Sequence, residues 1–474
     1  MILNRSDLRN FLFFLNEIHP LSIEDSLLGA ATAPSSWEEV KTKIRVARKN
    51  DSFVRSIKRV QIYIHVPFCG RLCKFCHCAR ILLRRRSEIN TYIDSVSRQM
   101  MFLSSAYQGM SADTLCFGGG TPSILNAQQL TAILDGVDEA FPNPQRKILF
   151  EINPSSWSAS KLAVLSARGL YRLSIGVQSL DDKVLRNVSR SQTRKKVLWC
   201  LRSARKAKVP YVNVDLMAGL PGQTTKGFMD DLEVLLDEGA NVVHVYPYCD
   251  PTGQILRRSQ DEVKDFFKKR DSMMKLGSEA LVKAGFSRKG LGAYTQTGAG
   301  EEHQEEAYTT LESAVAGFGP FAKSQFPGAV YYSSGALRAG NNLPSVALAQ
   351  HDKSYAMSHY AAIAIMDGLN EKVFARRFGV SLEKQCGEAL RFLQQEGLVT
   401  FSKGVWKFSG KWEIRRIREY IVLTRILFGQ RMVDNLRRRF ADKYDPQHDY
   451  SGGNSLLKAY SNSWLMTLYY RMGV

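Results

Sequence analysis

The feature that most constrains this chain is a strand–helix rhythm that begins near residue 59. RVQIYIHVP (59–67) is a β-branched run ending in proline. Five more runs follow: TLCFG (114–118), KILFEIN (147–153), YRLSIGV (171–177), YVNVDLM (211–217) and NVVHVYP (241–247). Helical patterns lie between them, such as INTYIDSVSRQMMFLSSAY (89–107) and TKGFMDDLEVLLDEG (225–239). This alternation predicts a parallel sheet with crossover helices. Right-handed connections curl six such units into an open, partial (β/α)6 TIM-like barrel. Sites in parallel α/β sheets form at the carboxyl ends of the strands. A cysteine loop follows strand one, Gly118-Gly119-Gly120 follows strand two, and Glu151 ends strand three. Gln178 follows strand four, Asp215 lies late in strand five, and Cys249 follows strand six.

The flanks read differently. Residues 1–58 form a helical, polar-mixed extension, and 59–255 hold the barrel. A long helical stretch and a glycine-rich segment (256–350) cover it. FARRFGVSLEKQCGEALRFLQQEGLVTFSKGVWKFSG, within 351–410, reads as helix, helix and short hairpin, a winged-helix-like α+β module. The tail, 411–474, is basic and helical, with Ile414, Ile417 and Ile421 at helical spacing among arginines. Such a helix can lie on an anionic membrane, or pack on the barrel with a solvated basic face.

Composition narrows the class. At 474 residues and 44% hydrophobic, the chain can bury a large core. The first 20 residues carry a short apolar run without a cleavage signal. No stretch approaches about 20 apolar residues, so a soluble, cytoplasmic protein is expected, with the membrane surface as its other possible station. The net charge of +20 suggests an anionic partner: nucleic acid, acidic lipid or a polyanionic substrate.

Four of the eight cysteines stand within CGRLCKFCHC, as Cys69, Cys73, Cys76 and Cys78; the others, Cys116, Cys200, Cys249 and Cys386, are scattered. That is no secreted disulfide framework. Cys69, Cys73 and Cys76 have the spacing C-x3-C-x2-C, and three such thiolates can hold three irons of a [4Fe–4S] cube with the fourth open. Zinc, with His77 or Cys78 as fourth ligand, is the alternative, but one ten-residue loop crowds a tetrahedral site. His65 and His244 lie in strands and read as packed. GLPGQTTKG lacks the order of a phosphate loop, and GFGPFA lacks the context of a dinucleotide fingerprint.

YIHVPFCGRLCKFCHC resembles the cluster motif of radical S-adenosylmethionine (SAM) enzymes, in particular the HemN-like family. CFGGGTPS, FEINPSS, RLSIGVQSLDD, VNVDLMAGLPGQT and GFGPFAKS extend the resemblance over roughly residues 59–325. It implies a [4Fe–4S] cluster on Cys69, Cys73 and Cys76, whose open iron chelates SAM and whose electron cleaves it to a 5′-deoxyadenosyl radical. The family pattern puts Tyr63, Gly119 and Glu151 at this first SAM. It puts Phe75, Gly120, Thr121, Gln178, Arg190, Asp215 and Cys249 at a second. Cys78 matches a fourth cysteine of coproporphyrinogen dehydrogenases and is read as an accessory non-ligand or a small filler.

Two SAM molecules imply two activities. The first is a class C radical SAM methyltransferase, acting on an sp2 carbon of a planar acceptor such as a quinone, porphyrin or heteroaromatic. The second is oxygen-independent coproporphyrinogen III dehydrogenase. That family carries Arg-Tyr-Thr-Ser-Tyr-Pro near its N-terminus, where this chain reads LGAATAPSSWEEV. Lys323 also stands near where that family has an apolar residue by the first adenosine, so methyl transfer is the first expectation. A flavodoxin or ferredoxin is the implied electron donor. A heme-binding chaperone and a nucleic-acid reader are the other classes, the latter disfavoured because winged modules are ordinary additions in this family.

Overall fold

The computed structural model describes residues 33–76, 78–248, 259–289, 292–296, 312–335, 343–350 and parts of 353–409. Residues 1–32, His77, Cys249 and the tail with Ile414, Ile417 and Ile421 lie outside the described residues.

Its strands, in chain order, begin with β1 (Ala33–Ser35), β2 (Arg59–Val66), β3 (Phe68–Cys69), β4 (Ile81–Leu82), β5 (Ser111–Gly119) and β6 (Lys147–Ile152). They continue with β7 (Leu170–Gln178), β8 (Tyr211–Ala218), β9 (Val242–Pro247), β10 (Phe286–Lys289), β11 (Ala293–Gln296) and β12 (Ser313–Phe318). Last come β13 (Lys323–Phe326), β14 (Val330–Ser334), β15 (Val346–Gln350), β16 (Leu369–Asn370), β17 (Val399–Ser402) and β18 (Val405–Phe408).

The six-fold rhythm holds. β2, β5, β6, β7, β8 and β9 are consecutive neighbours, and each pair is parallel. These strands are buried on both faces, as β2 illustrates with Val60, Ile62, Ile64 and Val66 all at 0% exposure and Gln61 and His65 buried opposite them. That is why they read as near-continuous apolar runs. The helices between them are amphipathic. Helix Ser87–Ser104 buries Ile89, Tyr92, Val96, Met100 and Leu103 at spacings of three and four. Helix Ala127–Ala140 starts at a capping box of Asn126 and Gln129.

The sheet is larger than the sequence indicates. The glycine-rich segment contains β12, which lies parallel to β2 and pairs Gly317 with Tyr63. β13, β14 and β15 extend the sheet by antiparallel pairing, and β1, in the extension expected to be helical, adds to β15 as an edge. β11 and β10 extend the other end, giving 13 strands.

Beyond the barrel, β16, β18 and β17 form a small antiparallel sheet with helices Glu371–Phe378 and Leu382–Gln395. Phe378 stacks against Phe53 at 5.0 Å, and Arg377 pairs with Glu312 at 3.6 Å. These contacts tie the module to the segment preceding β2 and to the residue preceding β12.

Candidate active site

The cysteine loop is pinned where it leaves and rejoins the sheet. β3 and β4 pair in parallel, with Ile81 N donating to Pro67 O at 2.7 Å and Leu83 N to Cys69 O at 2.9 Å. Inside the loop, Cys76 N donates to Cys73 O at 3.3 Å, and Lys74 N reaches across to Val188 O at 3.1 Å. Phe75 and Cys73 share a small buried cluster with Val188, Met217 and Tyr248, which anchors the loop over β8 and β9. Cys69 and Cys73 are buried, Cys76 is half-buried and Cys78 is exposed.

The thiols sit among cations. Arg80 donates to Cys78 O at 3.0 Å and Cys73 O at 3.2 Å, and its Nε is buried with no hydrogen-bond partner. Arg190 Nη1 donates to Cys73 Sγ at 3.6 Å. A hydrogen bond with Cys78 pulls the Cys76 thiol below its ordinary value, against desolvation and with help from Arg80 and Arg190. The same bond, with the Cys76 charge, pushes Cys78 up. Within this pair, negative charge is favoured on Cys76 over Cys78. Burial pushes Cys69 up, partly offset by its 3.3 Å bond to the Thr121 hydroxyl. Three thiols beside two guanidiniums, one with an unfilled buried N–H, suit an anionic iron–sulfur cluster.

The end of β5 meets this loop through glycines. Gly119 has φ +106, and a Cβ there would lie 2.7 Å from the His65 ring; one on Gly120 would lie 2.6 Å from Pro67 O. Thr121, buried beneath, holds Cys69. Gly120 and Thr121 thus sit with Cys69 and Pro67.

His65 does more than pack. Its Nε2 lies 2.9 Å from Ala79 O, inside the cysteine loop, and its Nδ1 lies 3.0 Å from Tyr63 Oη. A carbonyl only accepts, so the proton is on Nε2 and Nδ1 accepts from the tyrosine. Burial lowers the His65 pKa to about 4, keeping the ring neutral. Two residues of one strand face, i and i+2, are the signal the sequence offers for this pair. Tyr63 and Glu151 then meet over Gly118, whose Cβ would lie 3.0 Å from Glu151 Oε1 and 3.1 Å from Tyr63 Cε2. Tyr63, Gly119 and Glu151 therefore share one corner beside the thiols.

A second group lies on β7 and β8. The sheet bulges between Gly176 and Gln178, and Gln178 is buried at φ +67. Arg190 donates to Gly176 O and to Gln192 Oε1, both at 2.6 Å, while its other arm reaches Cys73. Asp215, opposite Gly176 in register, accepts from Asn213 Nδ2 at 2.8 Å, and Asn213 Oδ1 accepts from His244 Nδ1 at 2.8 Å. Asn213 and Gln192, which the sequence does not single out, and His244, which it reads as packed, complete this corner. Phe75 approaches from the loop. Arg190 joins this second group to the thiol loop.

Residues 63–235 match the model of the radical SAM superfamily. An oxygen-independent coproporphyrinogen III oxidase of Escherichia coli is 30% identical over 221 residues, 45% of this chain and 48% of that protein. The heme chaperone HemW of Bacillus subtilis is 30% identical over 186 residues, 39% and 49%. The chain spans about half the length of these curated relatives. Among solved structures, coproporphyrinogen III oxidase (HemN) from Escherichia coli superimposes with a TM-score of 0.67 at 21% identity, over 80% of this chain and 93% of that one, a likeness of fold. The barrel and its thiol loop therefore define a radical SAM domain. Within that class, the chain is similar to HemN-type proteins, in sequence over about half their length and in fold over most of the solved structure. Such a domain takes a [4Fe–4S] cluster and SAM. No helix among the described residues is long and apolar enough to cross a membrane.

Proposed function

We propose that this chain is a radical enzyme acting on a tetrapyrrole, and that its reaction is the oxidative decarboxylation of coproporphyrinogen III. The observation that carries the reading is the meeting of two groups, Tyr63–Gly119–Glu151 and Gln178–Arg190–Asp215, around one thiol loop. Sequence alone puts methyl transfer first; the names of the relatives reverse that order. A net charge of +20 suits a substrate with four carboxylates.

In this reading Cys69, Cys73 and Cys76 hold the cluster, and Cys78 stays off it. The cluster, when bound, supplies the electron that cleaves SAM to a 5′-deoxyadenosyl radical. The chain's own residues position the partners. Gly119 lets the backbone approach the methionine end of SAM, and Glu151 offers a carboxylate to its hydroxyls or ammonium. Tyr63, held by His65, walls the same corner. Gln178, Arg190 and Asp215 border a second SAM, with Phe75, Gly120 and Thr121 on the loop side; Cys249 belongs to that set by its place after β9. For each of the two propionates that react, one hydrogen atom would be lost from the side chain, the carboxylate would leave as carbon dioxide, a vinyl group would form, and one electron would pass to a one-electron acceptor from solution.

A second reading, methyl transfer by a class C mechanism, keeps support from Lys323. This residue stands on β13, close enough to His65 for its charge to oppose protonation of that ring. Coproporphyrinogen dehydrogenases carry an apolar residue there. One experiment separates the readings. The anaerobically reconstituted protein is given coproporphyrinogen III and SAM labelled in its methyl group. Carbon dioxide with 5′-deoxyadenosine is expected. Label in the acceptor together with S-adenosylhomocysteine would select methyl transfer. Heme binding without SAM cleavage, on a full cluster, would refute both.

A further inference from the structure

We propose that the outer face of the cysteine loop is the docking surface for an acidic one-electron carrier protein of the flavodoxin or ferredoxin kind. The proposal rests on the radical SAM reading, which requires an electron to reach the thiol loop from outside.

The charge pattern is local. Residues 66–87 hold six basic side chains, Arg71, Lys74, Arg80, Arg84, Arg85 and Arg86, and no carboxylate. All but Arg80 are exposed. None of these five side chains pairs with a carboxylate among the described residues. Elsewhere on the barrel, exposed cations do pair: Arg202 with Glu238, Lys226 with Asp230 at 2.7 Å, and Arg168 with Asp135 and Asp138 at 2.5 and 2.9 Å. The loop face therefore offers a run of uncompensated charge.

Two large apolar side chains stand among these cations. Leu72 is 44% exposed and Leu82 is 42% exposed, one inside the cysteine loop and one on the strand that closes it. A small apolar centre within a charged rim is the anatomy of a protein contact. Encounters between redox proteins are small, below about 1,200 Å2, and steered by opposite charge.

The face lies over the thiols. Gly70, Arg71 and Leu72 separate Cys69 from Cys73, and Leu83 N donates to Cys69 O at 2.9 Å one residue before Arg84. A carrier resting on Leu72 and Leu82 is thus separated from the thiols by the loop itself. An anionic lipid surface would also meet the charge, but two leucines on a short loop give little apolar area to insert.

The test compares Arg84→Glu/Arg85→Glu and Leu72→Gln with Lys206→Glu/Lys208→Glu. The last pair is exposed at the opposite end of the barrel, at and beyond the end of helix Arg194–Lys206. Each reconstituted holoenzyme is mixed anaerobically with a flavodoxin hydroquinone, and cluster bleaching is followed. Affinity for oxidised flavodoxin is measured separately by calorimetry. At low ionic strength the loop charge variant should bleach about ten-fold more slowly or worse, with the gap closing as salt rises. Leu72→Gln should weaken binding at every salt concentration. Reduction by photoreduced deazariboflavin, which needs no docking, should match wild type throughout, as should the Lys206/Lys208 variant with flavodoxin. Unchanged flavodoxin rates and affinity in the loop variants would overturn the proposal, as would an equal loss in the Lys206/Lys208 variant. Loss of binding to phosphatidylserine vesicles alone would give the face to a membrane and overturn it too. Failure of the wild-type chain to take up iron and sulfide, read before any carrier is added, would remove the radical reading and this proposal with it.

Discussion

Alanine at position 120 should dislodge the cysteine loop, and alanine at position 70 should leave it alone. A Cβ on Gly120 would lie 2.6 Å from Pro67 O, 2.8 Å from Pro67 C and 3.0 Å from Phe68 O. All three are backbone atoms, so no side chain can swing aside. Reaching an ordinary contact requires the Pro67 carbonyl to retreat by roughly 0.8 Å. That carbonyl accepts from Ile81 N at 2.7 Å, the bond that closes the loop, and the retreat would break it. Overpacking costs about 1–3 kcal/mol and the lost hydrogen bond about 1 kcal/mol. Alanine recovers about 0.4–1 kcal/mol by restricting the unfolded chain. A net loss of roughly 1–3 kcal/mol remains, concentrated beside Cys69. Gly70 follows Cys69 directly, is exposed, and a methyl group on it would meet nothing within 4 Å. Alanine there should change stability by less than about 0.5 kcal/mol, or raise it slightly. Two measurements decide: the denaturant midpoint of the anaerobic apoprotein, and iron and sulfide per chain after reconstitution. Gly120→Ala should lower both, with Gly70→Ala at wild-type values. Full iron and an unchanged midpoint in Gly120→Ala would refute the reasoning, and so would equal damage from Gly70→Ala.

Other expectations concern the groups around that loop. His65 titrates near 4 in the folded chain and about 6.5 unfolded, so above pH 6.5 it is neutral in both states and has no effect on the pH slope. Between 6.5 and about 4 the unfolded chain binds a proton that the folded one refuses, and roughly 3 kcal/mol is lost as pH falls. His65→Gln should lack this component in urea titrations of the apoprotein; a stability difference from wild type that stays constant over that window would contradict it. Arg190→Lys keeps the charge but not the fork that spans Gly176 O and Gln192 Oε1, and should cost about 2 kcal/mol in denaturant unfolding. Stability equal to wild type would show that charge alone matters there. Buried Asp231 accepts from Ser179 Oγ at 2.7 Å and Leu180 N at 2.9 Å, fixing the turn after Gln178. Asp231→Asn should lose about 1–3 kcal/mol and weaken SAM binding by equilibrium dialysis, and an unaltered midpoint would argue against that role.

Much of the barrel is legible because parallel strands buried on both faces announce themselves as apolar, β-branched runs. The thiol spacing is equally local. The 13-stranded extent is not legible, since β12 pairs with β2 across about 250 residues of sequence and its SAVAGF reads as a weak strand in a glycine-rich stretch. β1, at three residues, is too short to carry a pattern. Within the site, glycine marks the close approaches at 119 and 120, but nothing about Gln178 signals a left-handed backbone, which glutamine rarely adopts. His65 and His244 look like packing in the sequence because their partners, Ala79 O and Asn213, are fixed by loop path and register rather than by neighbours in sequence.

The two halves of the site are mechanically one. Arg190 spans from the Cys73 thiol to the Gly176 carbonyl, and Lys74 N bonds Val188 O two residues before that arginine. The loop that carries the thiols is therefore held by the same segment that shapes the β7–β8 corner. On the far side, His244 Nδ1 must carry its proton, because the atom it meets is the Asn213 oxygen, and Asn213 in turn aims its amide at Asp215. Asp215 thus has one carboxylate oxygen fixed, beside the Gly176 carbonyl that Arg190 holds. Any ligand between these residues feels the position of the thiol loop, and any shift of the loop is felt by that ligand. Under the proposed reading, Tyr63, Gly119 and Glu151 would bound the first corner, and Asp215, oriented by Asn213 and His244, would bound the second.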